Sequence, residues 1–269
     1  MNGAGSRRIG LIAGAGITAG FVAMAILALV WTPYDPAALD IPAKLLAPDR
    51  HHWFGTDQLG RDVLSMVMAG ARGSVAVAFF STGIGFVLGV PVGLIAAAHA
   101  GWIDEIIMRG NDLLFAFPSL LLAILLSAVF GPGAVNACIA IGVFNIPVFA
   151  RVARGAALRL WTQDFTLAAR VAGKGPLRIS AEHVLPNLLG VLAVQATIQF
   201  SLGVVAEAGL SYLGIGIQPP TPSWGRMLSD AQTLTALAPT LALFPGFAVA
   251  LFVLGLNLLG NGLRPRREQ

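Results

Sequence analysis

Few side chains in this 269-residue sequence have the types and spacing that covalent or metal chemistry needs. A phosphate-cradling loop requires G-x-x-x-x-G-K-[ST], where backbone amides and a lysine hold the phosphates and the hydroxyl holds magnesium. Gly173-Lys174-Gly175 is the nearest approach, and it lacks both the upstream glycine and the following hydroxyl. The chain is therefore expected to hydrolyse no ATP and to carry no cofactor of its own. His51 and His52 are adjacent while His99 and His183 stand apart, so no metal-ligand spacing arises. Ser211 falls near membrane depth, but no histidine shares that depth to activate it as a nucleophile. Cys138, the single cysteine, sits in an apolar run and reads as a small packing residue.

Two features remain. Glu207 is a carboxylate inside an apolar segment, and such a group is costly enough to mark a functional site by default. It lines a translocation path, pairs with a cation on a partner subunit, or sits at a helix break at the outer interface. The nearby Gly209, Gly214 and Gly216 favour the third reading. The other feature is the polar stretch Trp161–Gly173, which continues to Leu185-Pro186-Asn187. Thr162 or Asp164 can cap a helix there. Leu167, Ala168, Ala169, Arg170 and Val171 are helix-competent, Gly173 or Gly175 can end the helix, and Pro176 can begin the next. The spacing predicts two short helices joined by a turn. That shape suits insertion into a surface groove, with the small alanines allowing close approach; a plain amphipathic linker is the alternative.

The elements that position these groups lie in a membrane. Hydrophobic residues make up 56% of the chain and charged residues 11%, against roughly 25% charged in a soluble domain. The mean hydropathy is +0.78. A helical crossing needs about 20 apolar residues, and six segments qualify, at about 9–31, 73–98, 106–130, 134–155, 188–216 and 238–261. The apolar runs are continuous rather than alternating, which predicts an all-α polytopic membrane protein and excludes a barrel. The first run is too long for the core of a signal peptide and reads as a retained span.

The net charge of +4 is a matter of topology here rather than of nucleic-acid binding. Arg7, Arg8, Arg109, Arg151, Arg154, Arg159, Arg170, Lys174, Arg178, Arg264, Arg266 and Arg267 all fall on one side if the spans alternate. The positive-inside rule makes that side, with both termini and residues 155–187, cytoplasmic. The five tryptophans fall at or beyond span ends, as an aromatic belt would place them.

The chain divides into a first span (1–31), an external segment (32–72) and a core (73–269) that holds the cytoplasmic loop 158–187. Prolines 33, 36, 42 and 48 keep the start of the external segment extended or turned. Val63, Leu64, Val67 and Met68 recur at helical spacing, opposite Arg61, Asp62 and Ser65. This predicts an amphipathic helix lying on the outer membrane surface or packed on another subunit. Gly85, Gly89 and Gly93, four apart, form one small-residue face for close helix packing. Pro91, Pro118 and Pro147 are expected to bend their helices.

Longer motifs carry a resemblance. Phe54-Gly55-Thr56-Asp57-Gln58-Leu59-Gly60-Arg61-Asp62-Val63-Leu64-Ser65, Phe117-Pro118-Ser119, Ala206-Glu207-Ala208-Gly209-Leu210-Ser211-Tyr212-Leu213-Gly214 and Gln218-Pro219-Pro220-Thr221-Pro222-Ser223-Trp224-Gly225 resemble the C-type permease subunit of dipeptide, oligopeptide and nickel ABC importers. The resemblance covers the chain from Trp53 onward. The family's coupling motif, which begins Glu-Ala-Ala, is matched by Ala168, Ala169, Gly173, Leu185 and Pro186. Leu167 stands where the glutamate is expected and His183 where an isoleucine is.

The resemblance implies a type I ABC importer permease fold in the cell inner (plasma) membrane, with the loop around Asp164–Gly173 serving as a coupling helix. It implies a second homologous permease subunit, two ABC ATPase subunits that hold the ATP and magnesium, and a periplasmic or lipid-anchored solute-binding protein. Peptides and nickel or other metal chelates are the cargoes it suggests. The alternatives are a self-sufficient secondary carrier, which would show inverted repeats and a charged mid-membrane cluster, and an intramembrane hydrolase.

Overall fold

The computed structural model describes residues 3–263, with side chains from Arg8 onward. Arg264, Arg266, Arg267 and the side chain of Arg7, which the charge count uses, lie outside the described residues. Helices carry most of the rest, while residues 28–62 are turns and loop apart from a 3-10 turn at Ile41–Ala43. They run α1 (Gly3–Leu27), α2 (Val63–Ala98), α3 (Trp102–Ala116), α4 (Ser119–Phe130), α5 (Ala134–Trp161), α6 (Asp164–Val171), α7 (Pro176–Ile179), α8 (Leu185–Tyr212), α9 (Trp224–Ala231) and α10 (Thr240–Leu263). A π-helical turn at Ser180–Val184 joins α7 to α8.

Helices α1, α2, α5 and α10 are each long and apolar enough to cross a membrane, as is the continuous run from α7 through α8. The pair α3 and α4 supplies a sixth crossing if taken as one span, bent by 73° at the break. The break falls at Phe117-Pro118, as the proline predicts, since it has no N–H and its ring crowds the preceding turn. Pro91 and Pro147 stay inside continuous helices.

Helix α2 is the pillar of the fold, touching α1, α3, α5, α8, α9 and α10. It starts ten residues before the predicted second span, so the expected surface helix does not exist as a separate element. Asp62 caps α2 by accepting from Ser65 N–H at 2.8 Å, and Ala69, Gly70, Ala71 and Arg72 offer no stop before the apolar run. Both faces of this first stretch are covered: Val63, Met66 and Val67 are buried on one side and Asp62 and Ser65 on the other. The boundary read at 72/73 is therefore interior to one helix.

The small-residue face of α2 meets α5. An added Cβ at Gly85 would overlap the Asn145 side chain, and one at Gly89 or Gly93 would overlap the carbonyl of Ile146 or of Ala150. Backbones at that distance gain dispersion contacts that larger residues forbid, and dispersion is what holds helices together in lipid. This contact also sets depth. From Arg72 to Gly93 is about 32 Å along the helix, close to the ~30 Å hydrocarbon thickness. Gly93 lies beside Ala150 and Ala153, level with Arg151 and Arg154, and Asn145 with Gly85 falls near the middle.

Two further ties matter for orientation. Arg154 grips Asp104 with both ends of its fork, at 2.6 and 2.5 Å, and Arg151 bonds Asp112 at 2.7 Å. Both join α3 to α5 at the end of the bundle that carries α6. At the opposite end Trp224, fully buried, donates its indole N–H to Val67 carbonyl at 3.0 Å and packs edge-on against Phe21 and Phe252. Trp161 is also buried. The aromatic-belt reading therefore fits the exposed Trp31, Trp53 and Trp102, whereas Trp224 and Trp161 are core residues at the two ends of the bundle.

Candidate coupling site and membrane interior

Sequence makes α6 a helix with a defined stop. Asp164 is its first residue, favourable at the positive end of the helix dipole. The N-cap position belongs to Gln163, whose side chain caps nothing, and Thr162 bonds back to Arg159 instead. The end is a Schellman motif: Lys174 N–H donates to Ala169 carbonyl at 3.1 Å and Gly173 N–H to Arg170 carbonyl at 3.0 Å. Gly173 takes φ +83°, a conformation any Cβ would strain, although nothing lies within 4 Å of where that Cβ would stand. Its requirement is conformational rather than steric. Pro176 then opens α7 in the first turn.

The two alanines differ in exposure. Thr166 and Ala169 are buried against the chain's own bundle, where Ala169 joins a cluster with Leu94, Ala97, Trp161 and Ile179. Ala168 is exposed, as are Phe165, Leu167, Arg170 and Val171, the last at 90%. The expectation that both alanines enter a partner's groove is corrected: the smallness of Ala169 serves docking of α6 on its own spans. Arg170 lies over the Trp161 ring at 5.4 Å.

The second short helix does not end at Pro186. Helix α7, the π-turn and α8 form one run, Pro176–Tyr212. Pro186 lacks an N–H and would crowd the Glu182 carbonyl in an ordinary α-helix. The π-turn widens that place, with Leu185 N–H bonding Ser180 carbonyl. This run is about 55 Å long, so its first dozen residues, with Arg178, Glu182 and His183, project beyond the hydrocarbon layer. There Lys174 Nζ and Arg178 Nε each donate to Glu182 at 2.6 Å, and His183 Nε2 accepts from the same ammonium at 2.9 Å. Lys174 first, and Arg178 with it, hold the Glu182 carboxyl down from 4.5 to about 2. A depressed carboxylate contributes its bond above the unfolded value and loses it as pH falls through the folded one. This clamp between the α6–α7 turn and the long run therefore persists down to about pH 4 and fails toward pH 2.

Glu207 is fully buried within the chain. Its Oε1 accepts from Ser211 Oγ at 2.6 Å, and that hydroxyl accepts from Ile217 N–H at 3.0 Å. The carboxylate thus anchors the loop after α8, at the end of the bundle that holds Trp224, and presents nothing to a path or partner in this conformation. Sequence reasoning passed over a different polar group. Gln195 and Gln199 of α8 and Asn145 of α5 form a chain of amides at mid-membrane. Their i,i+4 spacing within an otherwise apolar helix was the available signal.

Comparison with known proteins follows this geometry. The family described as binding-protein-dependent transport system inner membrane component matches residues 89–269. A dipeptide transport system permease protein of Alkalihalophilus pseudofirmus is 42% identical over 256 residues, which is 95% of this chain and 83% of that protein. A glutathione transport system permease protein of Pectobacterium atrosepticum is 41% identical over 244 residues, covering 90% and 81%. Among solved structures, an inward-facing MetNI methionine ABC transporter aligns with TM-score 0.62 at 21% identity, over 72% of this chain and 93% of that one, which supports the fold. The secondary-carrier and hydrolase readings are set aside by these matches. Six potential crossings, a helix–turn–helix beside the longest of them, and similarity to importer permeases over most of both chains lead to one assignment: the chain belongs to the binding-protein-dependent transport system inner membrane component family, and is the multi-pass permease subunit of an ABC importer that works with an ATPase, a solute-binding protein and a second permease.

Proposed function

We propose that this permease moves peptides of a few residues, that its second permease is a different but homologous chain, and that each permease takes one ATPase on its α6–α7 element. Both termini and residues 155–187 are cytoplasmic in this reading, by the distribution of basic residues. The cargo rests on the relatives, whose named substrates are a dipeptide and glutathione. One observation carries the docking role. Phe165, Leu167 and Val171 are exposed apolar residues on a charged loop, and no part of the described chain covers them. ATP-driven closure of the ATPases would move α6, and the Lys174–Glu182–Arg178 clamp would pass that motion to the long run ending at Tyr212.

The test uses the complete importer in sealed vesicles, with Val171→Cys in a Cys138→Ala background. Labelled dipeptide should accumulate only with ATP and loaded binding protein. A membrane-impermeant thiol reagent should reach Val171→Cys from the ATPase side alone, and only before the ATPases bind. Labelling from the opposite side would invert the topology, and ATP-independent uptake would end the coupling reading.

A further inference from the structure

We infer that Gln195 lines the aqueous route through the membrane and offers its amide to the peptide bonds of passing cargo, with Gln199 and Asn145 positioning it. This rests on the reading of the chain as a peptide-importer permease. The amide chain starts on backbone, where Asn145 Nδ2 donates to Ser81 carbonyl at 3.3 Å. Asn145 Oδ1 accepts from Gln199 Nε2 at 2.7 Å, and Gln199 Oε1 accepts from Gln195 Nε2 at 3.3 Å. Asn145 and Gln199 are buried, at 3% and 4% exposure. Gln195 is only half-buried, and its Oε1 accepts from no donor among the described residues. The chain of bonds therefore ends on a free amide face.

Depth makes that free face informative. Asn145 packs on Gly85 near the middle of the hydrocarbon layer, and Gln195 lies about 6 Å along α8 from Gln199, toward the α6 end. An amide carbonyl left to lipid has no donor, and polar side chains at this depth face a bundle interior or a water-filled cavity. Val191, Gln195, Ile198, Leu202, Val205 and Gly209 follow one another at alternating spacings of four and three, so they share one stripe of α8. Leu202, Val205 and Gly209 are exposed, and nothing lies within 4 Å of a Cβ at Gly209. Elsewhere on α8, Gly203 packs on Ala78 of α2 and Ser201 bonds Asn257 of α10. The stripe is thus the side of α8 that its own bundle leaves open.

The chemistry selects the ligand class. A primary amide accepts from a peptide N–H and donates to a peptide carbonyl, whatever the cargo's side chains are. One such group beside apolar and small residues grips weakly, which lets cargo leave. The stripe carries no carboxylate, thiol or imidazole, so it offers a metal ion no suitable ligand set.

Accessibility and transport test the inference separately. In the complete importer, with Cys138→Ala, Gln195→Cys should react with a water-soluble cationic methanethiosulfonate in at least one nucleotide state. Ile12→Cys, on the outward side of α1, should stay unreactive. No reaction at Gln195→Cys in any nucleotide state would overturn the placement, and this arm needs no cargo. In the second arm, Gln195→Leu should change dipeptide uptake by about two- to tenfold, the equivalent of one lost hydrogen bond. ATPase co-purification and ATP turnover stimulated by loaded binding protein should be unchanged, and Gln195→Asn should fall between. Unchanged uptake by Gln195→Leu would remove the cargo role while leaving the transport reading intact. A wild-type importer that moves no dipeptide would instead reject the peptide reading itself, together with the peptide-bond contact.

Discussion

The two ends of the bundle are finished differently. At the end that holds α9 the first turns of α2, the last turns of α8 and all of α9 close on each other around Trp224, Glu207 and Ser211, each fully buried. The Trp224 N–H and one Glu207 oxygen are satisfied from within the chain. At the opposite end α2, α5, α6 and α8 bury a cluster of their own around Phe149, Ile179 and Val184. Helix α6 lays only Thr166 and Ala169 on the bundle and turns Phe165, Leu167, Ala168 and Val171 outward. Both ends bury a core and both leave apolar side chains exposed, among them Trp53 and Leu237 at one and Leu167 and Val171 at the other. What distinguishes the α6 end is a short helix that lays only two of its eight residues on the bundle.

The sharpest way to break this comparison lies within α6. Ala169→Glu would place a carboxylate in the cluster at the α6 end, at a cost of about 3–5 kcal/mol if the charge stays unpaired. The purified chain should melt lower and its yield should fall. Ala168→Glu, one residue away and exposed, should leave the melting temperature unchanged and reduce co-purification of the ATPases. Equal melting losses for both would mean that α6 does not lie as described.

A smaller effect is expected at the α9 end. An added Cβ at Gly225 would overlap the Ala208 carbonyl where α9 meets α8. Gly225→Val should therefore cost about 1–3 kcal/mol as overpacking, seen as a lower melting temperature of the assembled permease. ATPase association by those molecules that fold should be normal. Loss of ATPase binding at full stability would erase the distinction between the ends.

The smallest effect belongs to Glu207. Glu207→Gln keeps an oxygen for the Ser211 hydroxyl, so assembly and most uptake should survive. Loss of the complex on a detergent gel would show that the charge itself has a partner outside this chain.

Much of this arrangement was written plainly in the sequence. Continuous apolar runs gave the crossings, the four-residue glycine repeat gave the close-packing face of α2 without naming its partner α5, and Gly173 with Pro176 gave the turn between α6 and α7. What the sequence left open has a common physical cause. An amphipathic stretch such as Val63–Met68 looks the same whether it meets headgroups or neighbouring helices, so its fusion into α2 was invisible. Adjacent alanines differ by 100° around a helix, but nothing in their type says which direction is inward. Trp224 has the right position for a belt residue and is claimed by Phe21, Phe252 and Val67, all far away in sequence. Pro186 read as a stop because a π-turn that absorbs a proline leaves no compositional mark.

That absorbed proline has a mechanical consequence. Because Pro176–Tyr212 is one continuous helical run of about 55 Å, its two ends move together except for what the π-turn at Ser180–Val184 absorbs. A tilt of about 10° around one end sweeps the other through roughly 10 Å over such a length. Glu182 sits near one tip and Glu207 near the other, so under the proposed coupling a stroke delivered at the first would arrive at the second as leverage, with no chain of intervening rearrangements required. The wide turn at Ser180–Val184 is then the place where such a rod would flex first, and its compliance would set how much of the stroke is lost on the way.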